Sequence, residues 1–228
     1  MIFKQVFDEK SSTYTYLIAS SHGREALLID PVLENVDSYI KLLKNLDLRL
    51  VKVIDTHIHA DHVTGASKLK NLTKCSTIMG EHTPAETVEI KIKNDEYIYL
   101  ENLKIRAIHT PGHTSDSFSF LMDNYLFSGD TLLINGTGRT DFQNGNSKDA
   151  YNSIFNKLLK LPEETLLYPA HDYKGEKVST IGKEKKFNPR LQVNSIDEYI
   201  EIMNNLNLNK PISIDDNIAK NLKLGSKN

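Results

Sequence analysis

The sequence contains a single cysteine, Cys75, among its 228 residues. Without a second cysteine an intrachain disulfide is excluded, and nothing in the chain requires an oxidising compartment. Free cysteines are usually buried and behave as small apolar side chains. We therefore expect Cys75 to be a buried structural thiol and not a nucleophile.

The sequence also lacks long apolar runs and an excess of either charge. No apolar stretch approaches the ~20 residues that a membrane-spanning helix needs. The amino-terminal residues lack the apolar core and cleavage site of a signal peptide. The formal net charge is -2, without a basic cluster of the kind that binds nucleic acid. These absences predict a soluble cytoplasmic protein with no membrane and no nucleic-acid partner.

Short strands and amphipathic helices alternate along the chain. Alternating and β-branched residues predict strands at 2–8, 13–20, 25–32, 48–55, 76–80 and 165–168, and antiparallel strands within 88–110. Asp123 and Asn124 form a predicted two-residue hairpin turn. Apolar residues that recur on one helical face predict helices at 34–47 and 148–160. Residues of good helical propensity predict another at 61–71. A capping box at Ser195 predicts one more helix, ending near Pro211.

This order of elements suits two packed mixed sheets with helices on both outer faces, an αββα sandwich of the α/β class. The length allows one substantial core, and motifs spread from 57 to 171 must converge. We therefore expect one domain over residues 1–228. Residues from about 210 are expected to form a peripheral tail, with Lys220 to Asn228 loosely held.

The most informative stretch is His-Ile-His-Ala-Asp-His at residues 57–62, directly after the predicted strand 48–55. His57 and His59 are two residues apart at the end of a rigid strand, so they can face one cation together. Asp61 and His62 are expected in the first turn of the predicted helix 61–71. Imidazoles with a carboxylate suit zinc, iron or manganese better than calcium.

Three further candidate ligands also stand at the ends of apolar runs. His113 follows Thr-Pro-Gly, Asp130 follows Ser-Gly, and His171 follows Tyr-Pro-Ala. A lone His-x-His motif often matches by accident. Repetition of the same arrangement at four strand ends makes a metal site the better interpretation.

From the residues alone, two kinds of site remain open. With two cations, Asp130 bridges them and a bridging hydroxide attacks a carbonyl group, as in binuclear hydrolases. The two ligand sets are then His57, His59 and His113, and Asp61, His62 and His171. With one cation, His57, His113 and Asp130 form the two-histidine, one-carboxylate set of non-haem Fe(II) oxygenases.

The motifs HxHxDH, PGHT, SGD and PAH, in this order, resemble those of the metallo-β-lactamase superfamily. Within it, the chain is similar to the persulfide dioxygenases, the ethylmalonic encephalopathy protein-like family. That closer resemblance rests on further stretches that start at Ser11, His59, Gly136, Tyr168 and Asn188. It covers nearly the whole chain and thins after about residue 205.

The resemblance implies the αββα fold and an Fe(II) enzyme that oxidises glutathione persulfide with O₂ to sulfite and glutathione. It implies one Fe²⁺ per chain, held by His57, His113 and Asp130. The positions of His59, Asp61, His62 and His171 would surround this iron, orienting ligands and exchanging protons.

Four residues are candidates for substrate binding. Arg139, in the Gly-rich loop that matches the glutathione-binding loop of the family, could clamp a carboxylate bidentately. Alternatively, Arg139 pairs with Asp141 and closes the loop. Tyr173, Thr137 and Thr114 are further candidates, and Thr137 stands where some relatives carry cysteine.

Two other functions remain as alternatives. One is a thioester hydrolase of the glyoxalase II type, a hydroxyacylglutathione hydrolase with two Zn, Fe or Mn ions. The short, acidic carboxyl-terminal region argues against it. The other is a degenerate scaffold or binding module without catalytic activity, against which the seven intact ligand positions argue. The resemblance also implies a possible homodimer and, because no rhodanese-like domain is expected here, a separate rhodanese-type sulfurtransferase as a partner.

Overall fold

A computed structural model of the chain describes residues 1–208 and 214–226. Its strands are β1 Ile2–Asp8, β2 Thr13–Ala19, β3 Glu25–Ile29, β4 Arg49–Ile54, β5 Ser76–Gly80, β6 Ile90–Ile92, β7 Tyr97–Leu100, β8 Leu103–His109, β9 Phe118–Met122, β10 Tyr125–Gly129, β11 Leu132–Leu133, β12 Gly136–Thr137, β13 Leu166–Pro169 and β14 Ser179–Thr180. Its α-helices are α1 Val36–Asn45, α2 Ala66–Thr73, α3 Ser147–Asn156, α4 Ile181–Phe187, α5 Ile196–Asn204 and α6 Ile214–Asn221. Short 3₁₀ turns lie at Leu33–Asn35 and Leu158–Lys160.

Two six-stranded sheets form the centre of the molecule. The first has the order β1-β2-β3-β4-β5-β6 and the second the order β14-β13-β10-β9-β8-β7, while β11 and β12 pair separately. Both sheets are mixed. In the first, β3 to β6 are parallel and β1 and β2 antiparallel. In the second, only β10 and β13 pair in parallel.

Three apolar clusters fill the layers of the sandwich. Aromatic and branched side chains of both sheets, such as Tyr16, Ile54 and Phe120, pack between the sheets. The outer face of the first sheet packs on α1 and α2, through residues such as Tyr39 and Leu69. The outer face of the second packs on α3, α4 and α5. The predicted αββα sandwich is therefore confirmed.

Most predicted elements are present, with shifts at their ends. The hairpin turn at Asp123 and Asn124 is confirmed, because Met122 pairs with Tyr125. The helix predicted at 148–160 ends at Asn156 and continues only as a 3₁₀ turn. The helix that follows Ser195 ends at Asn204, and Pro211, its predicted end, lies outside the described residues.

The prediction that a helix begins at Asp61 is wrong, because α2 begins at Ala66. The backbone just before α2 forms hydrogen bonds with distant parts of the chain instead. The N–H of Gly65 donates to the carbonyl of Pro31 at 2.6 Å, and the N–H of Thr64 donates to Asn221 at 2.9 Å. Asp61 and His62 therefore lie in a bent loop that precedes α2.

The expectation that Lys220 to Asn228 is loosely held is wrong for residues 220–226. Leu224 is buried in the cluster beneath the first sheet, and its carbonyl accepts a hydrogen bond from Ser67 N at 3.0 Å. In residues 1–208 and 214–226, we find no helix with the length and apolar character to cross a bilayer.

Candidate metal centre

The candidate ligands meet at one end of the two sheets. His57 follows β4, His113 follows β8, Asp130 follows β10 and His171 follows β13. The loop before His113 turns at Gly112, whose φ is +144° and where a Cβ atom would lie 2.3 Å from Ala150 in α3. This close approach favours glycine at the position and fixes the direction in which His113 leaves the sheet.

His57, His113 and Asp130 form a group whose ligand atoms all lie within 4.8 Å of one another. His57 is buried, its Nδ1 lies 3.0 Å from Thr56 Oγ1, and its Nε2 has no hydrogen-bond partner. His113 Nδ1 donates to the carbonyl of Arg139 at 2.7 Å. The Nε2 of His113 lies 3.5 Å from Asp130 Oδ2.

This donor set fits a transition metal. Burial, together with the neighbouring imidazoles, holds the pKa of His57 well below its usual range, so His57 is neutral and offers a lone pair. Histidine ligands usually donate their other ring nitrogen to a carbonyl or carboxylate, as His113 does. A buried, unpartnered imidazole nitrogen is costly, and a bound cation would satisfy that of His57.

His59, Asp61 and His62 form a second group of the same size. The Nδ1 of His59 and the Nε2 of His62 are buried without partners. The other nitrogens are engaged: His59 Nε2 lies 3.1 Å from Asp30 Oδ1, and His62 Nδ1 lies 2.9 Å from Asp61 Oδ2. One cation or two remain compatible with this geometry. The structure, however, groups His59 with Asp61 and His62, whereas the two-cation hypothesis placed it with His57 and His113.

His171 connects the two groups. Its Nδ1 lies 2.7 Å from Asp130 Oδ1 and its Nε2 lies 2.7 Å from Asp61 Oδ2. Burial lowers the pKa of His171, but the carboxylates of Asp130 and Asp61 outweigh burial and raise the pKa well above its usual value. These two partly buried carboxylates thus favour the protonated, positively charged form of His171 between them.

A cavity of about 580 Å³ opens onto His113, Asp130 and His171. Three of the predicted substrate residues, Thr137, Arg139 and Tyr173, also line it. The ring of Tyr173 is stacked on His171 with 6.1 Å between ring centres, and 72% of the residue is exposed. These three residues lie where a ligand in the cavity would reach them.

Thr114 is placed differently. It is buried, its Oγ1 lies 2.7 Å from Ser117 Oγ, and it is not one of the residues that line the cavity. Contact between Thr114 and a substrate stays a prediction, and the position of Thr114 outside the cavity lining does not favour it.

The hydroxyl of Thr137 lies within 3.3 Å of both Arg190 Nη1 and Tyr199 Oη.

Arg139 makes the alternative contact expected from the sequence, an ion pair with Asp141. Its guanidinium donates to both carboxylate oxygens of Asp141, at 2.7 and 2.8 Å, and to the carbonyl of Leu208 at 3.3 Å. It also lies 4.3 Å from the ring centre of Phe142. Because Arg139 lines the cavity as well, its role in substrate binding stays a prediction.

Four residues near the site were not predicted from the sequence: Arg190, Gln143, Asn217 and Asn221. Arg190 lines the cavity and donates to the carbonyl of Thr137. Its stretch, Asn188 to Leu191, contributed only to the resemblance. Gln143 donates to the carbonyl of Ile58 at 2.6 Å. The other two lie in α6, where the sequence predicted a peripheral tail, and no local pattern indicated their contact with the site.

The chain is similar to known proteins of the same superfamily that its motifs resemble. Residues 9–171 match the sequence model of the Metallo-beta-lactamase superfamily. The chain is 40% identical to the human (Homo sapiens) mitochondrial persulfide dioxygenase ETHE1 over 228 residues, 99% of this chain and 89% of that protein. It is 34% identical to a hydroxyacylglutathione hydrolase of Dictyostelium discoideum over 169 residues, 70% of this chain and 62% of that protein.

Among solved structures, the chain is similar to the crystal structure of ETHE1 from Myxococcus xanthus. The TM-score is 0.96 with 45% sequence identity, and the match covers 99% of this chain and 100% of that one. The similarity therefore extends over the sheets, the candidate ligands and the carboxyl-terminal helices together.

Proposed function

Because the chain belongs to the metallo-β-lactamase superfamily and, within it, to the persulfide dioxygenase family, we propose that it is an enzyme that oxidises glutathione persulfide with O₂. The predicted family is confirmed. The observation that carries the proposal is high identity over nearly the whole chain: 40% to human persulfide dioxygenase and 45% to ETHE1 of Myxococcus xanthus, each over 99% of the chain. Two hydroxyacylglutathione hydrolases match less well, at 34% identity over 70% of the chain and 31% over 90%.

The proposed reaction balances without another oxidant. Glutathione persulfide, O₂ and water give glutathione and sulfite. The outer sulfur loses four electrons, which reduce O₂, and the sulfur–sulfur bond breaks, so that the inner sulfur leaves as the thiol of glutathione. The chain must therefore hold the persulfide with its outer sulfur toward His57, His113 and Asp130.

Iron is the cation that we propose for these three residues. Two imidazoles and one carboxylate, with remaining positions open, are typical of non-haem Fe(II) oxygenases. Bound Fe²⁺ would supply the redox chemistry by which O₂ reacts with the persulfide sulfur. His171, hydrogen-bonded to Asp130, would orient that carboxylate. His171 could also hold a proton within reach of the cavity, which it lines.

The cavity suits an anionic tripeptide. Its volume of about 580 Å³ lies in the range of small-molecule pockets. Four cationic side chains line it, those of Lys10, Arg139, Lys174 and Arg190, and glutathione carries two carboxylates. We propose that Arg139 binds one of them by exchanging Asp141 for substrate, and that Thr137 and Tyr173 contact the peptide.

A binuclear thioester hydrolase is the second candidate, because one observation favours it. The second group of ligand atoms, from His59, Asp61 and His62, is complete in the structure. A hydrolase with two cations would use that group, together with His171, to hold the second ion. The two candidates therefore differ in the number of cations bound and in the need for O₂.

Location and partners stay proposals. We propose a cytoplasmic protein, although the names of the mammalian relatives describe mitochondrial proteins. A homodimer and a separate rhodanese-type sulfurtransferase, which would supply persulfide sulfur, are proposed from the family resemblance alone.

The deciding experiment measures metal content and O₂ uptake on protein purified under anaerobic, iron-replete conditions. We expect about one iron per chain, and O₂ consumption that depends on glutathione persulfide and produces an equal amount of sulfite. Two metals per chain, no O₂ uptake and cleavage of an acylglutathione would instead identify the hydrolase.

Two histidine variants provide a matched comparison. His113→Ala removes a proposed ligand and is expected to abolish both iron binding and O₂ uptake. His82→Ala removes a half-exposed imidazole that belongs to none of the candidate groups, and is expected to leave both unchanged. Equal iron content in both variants would remove His113 from the site.

A further inference from the structure

The loop that carries the HxHxDH motif, residues 56–65, contains no helix and takes part in no named strand. Its backbone N–H and C=O groups therefore cannot pair within a regular element, although much of the loop is buried. Buried backbone groups need partners elsewhere. Several of these partners belong to α6, the helix at the carboxyl terminus.

Asn221 makes three hydrogen bonds to this loop. Its Nδ2 donates to the carbonyls of His59 and His62, both at 2.8 Å, and its Oδ1 accepts from the N–H of Thr64 at 2.9 Å. The side chain is buried, at 1% exposure. Both amide hydrogens are used, and two carbonyls and one N–H determine the orientation of the amide. No smaller polar side chain can make all three bonds.

Asn217 adds a fourth bond from the same face of α6. Its Nδ2 donates to the carbonyl of Ala60 at 3.0 Å. Residues four apart on a helix lie one above the other, so the two asparagines contact the loop backbone from His59 to Thr64. Together they contact the backbone on both sides of Asp61.

The helix that carries them is itself fixed to the body of the protein. Leu224 packs in the cluster beneath the first sheet, and its carbonyl accepts from Ser67 N at the start of α2. Gly225 has φ +72°, and a Cβ atom there would lie 2.1 Å from the carbonyl oxygen of Thr64. The asparagines thus have a rigid support.

We infer that Asn217 and Asn221 are positioning residues for the metal centre, an inference that rests on the proposed function. By holding the backbone around Asp61, they direct its carboxylate toward His171 Nε2, 2.7 Å away. His171 in turn holds Asp130 at 2.7 Å. Through these contacts, a helix outside the matched family region, which ends at residue 171, sets the arrangement of a ligand.

Asn221→Asp is the sharpest test, because it keeps the size of the side chain but sets a carboxylate against two carbonyl oxygens. Lys220→Gln is its control: it changes the net charge by the same amount and alters an exposed neighbour on α6. The probe is Co²⁺, titrated into the metal-free full-length protein and followed by visible absorption. Hydrogen exchange of the peptide that contains residues 57–64 is measured in parallel.

We expect Asn221→Asp to weaken Co²⁺ binding about 10- to 100-fold and to change the visible spectrum. Exchange at residues 57–64 should be faster, while Lys220→Gln matches the wild type. In iron-loaded protein, kcat should fall with little change in the KM for glutathione persulfide. A folded Asn221→Asp protein that has a lower Tm but wild-type Co²⁺ affinity and loop exchange would overturn the inference.

Asn217→Asp covers the case in which Asn221→Asp does not fold. It loses one hydrogen bond, so we expect a smaller, about 2- to 10-fold, loss of Co²⁺ affinity. An Asn217→Asp protein that behaves as Lys220→Gln does would then overturn the inference. Because Co²⁺ binding and hydrogen exchange need no persulfide, a wild-type protein without O₂ uptake would refute the proposed reaction and leave this test intact.

Discussion

The Nδ1 atom of His171 lies 2.7 Å from Oδ1 of Asp130. The other carboxylate oxygen of Asp130 faces Nε2 of His113 at 3.5 Å. Asp130 is therefore held from one side by His171 and turns its second oxygen toward the two other proposed ligands. Asp130 and His171 each follow a strand in the sequence, but their roles differ. Asp130 is a proposed ligand, and His171 holds that ligand in position.

The first prediction concerns His171→Ala. If His57, His113 and Asp130 bind the cation, the variant still takes up iron, because none of these ligands is removed. Loss of the hydrogen bond to Asp130 is expected to lower iron affinity about 10- to 100-fold. Iron content after anaerobic loading and competition with a chelator measure this.

His113→Ala is the comparison for His171→Ala, and it is expected to bind no iron. If His171→Ala were equally free of iron, His171 would belong to the ligand set, and the assignment of a single three-residue site would be wrong. In a binuclear hydrolase, His171→Ala would empty the second site, and the content would fall from two metals to one.

Much of the site follows from the sequence because its ligands stand directly after strands. Local residue patterns determine where apolar strands such as β4 and β10 end. The parallel and antiparallel pairing of the sheets then brings His57 and Asp130 to one end of the sandwich. Local pattern and topology together therefore suffice to predict the convergence of these residues.

Other features depend on contacts between residues far apart in the sequence. The loop at Asp61 resembles a helix start by propensity, but its N–H groups at Thr64 and Gly65 donate to Asn221 and Pro31 and keep the backbone out of a helix. Whether Arg139 binds Asp141 or a substrate carboxylate does not follow from the sequence either. Asn217 and Asn221 lie about 160 residues from the loop they contact, and no local pattern could indicate that contact.

The second prediction separates the two possible roles of Arg139. Arg139→Ala is expected to raise the KM for glutathione persulfide about 10- to 150-fold, because hydrogen bonds to a charged group contribute about 1.5–3 kcal/mol. Steady-state O₂ uptake at varied persulfide concentration measures it. Asp141→Asn is the control, because it weakens the Arg139–Asp141 pair but keeps the guanidinium. An equal rise of KM in both variants would make Arg139 a structural residue of the loop.

The third prediction concerns Cys75, which is 2% exposed. Burial raises the pKa of its thiol, so little of the reactive thiolate forms near neutral pH. We expect the native protein to resist a thiol-specific reagent at pH 8, and about one thiol per chain to react in denaturant. Cys75→Ser should lower the free energy of unfolding by about 1–3 kcal/mol and leave kcat unchanged. Rapid labelling of the native protein would contradict the buried assignment.

The fourth prediction uses two glycines of the loop that faces the metal centre. A Cβ atom at Gly138 would lie 2.0 Å from the carbonyl oxygen of Asp130 and 3.0 Å from His113, whereas at Gly136 the nearest atom is 3.9 Å away. Gly138→Ala must therefore displace the backbone of one proposed ligand and the side chain of another. Such overpacking typically costs about 1–3 kcal/mol, and we expect iron affinity to fall at least about tenfold.

Gly136→Ala, the same chemical change two residues away, is the control and should bind iron as the wild type does. If chelator competition finds equal affinities in the two variants, His113 and Asp130 do not hold the cation, because no displacement of these residues would leave their own site unchanged.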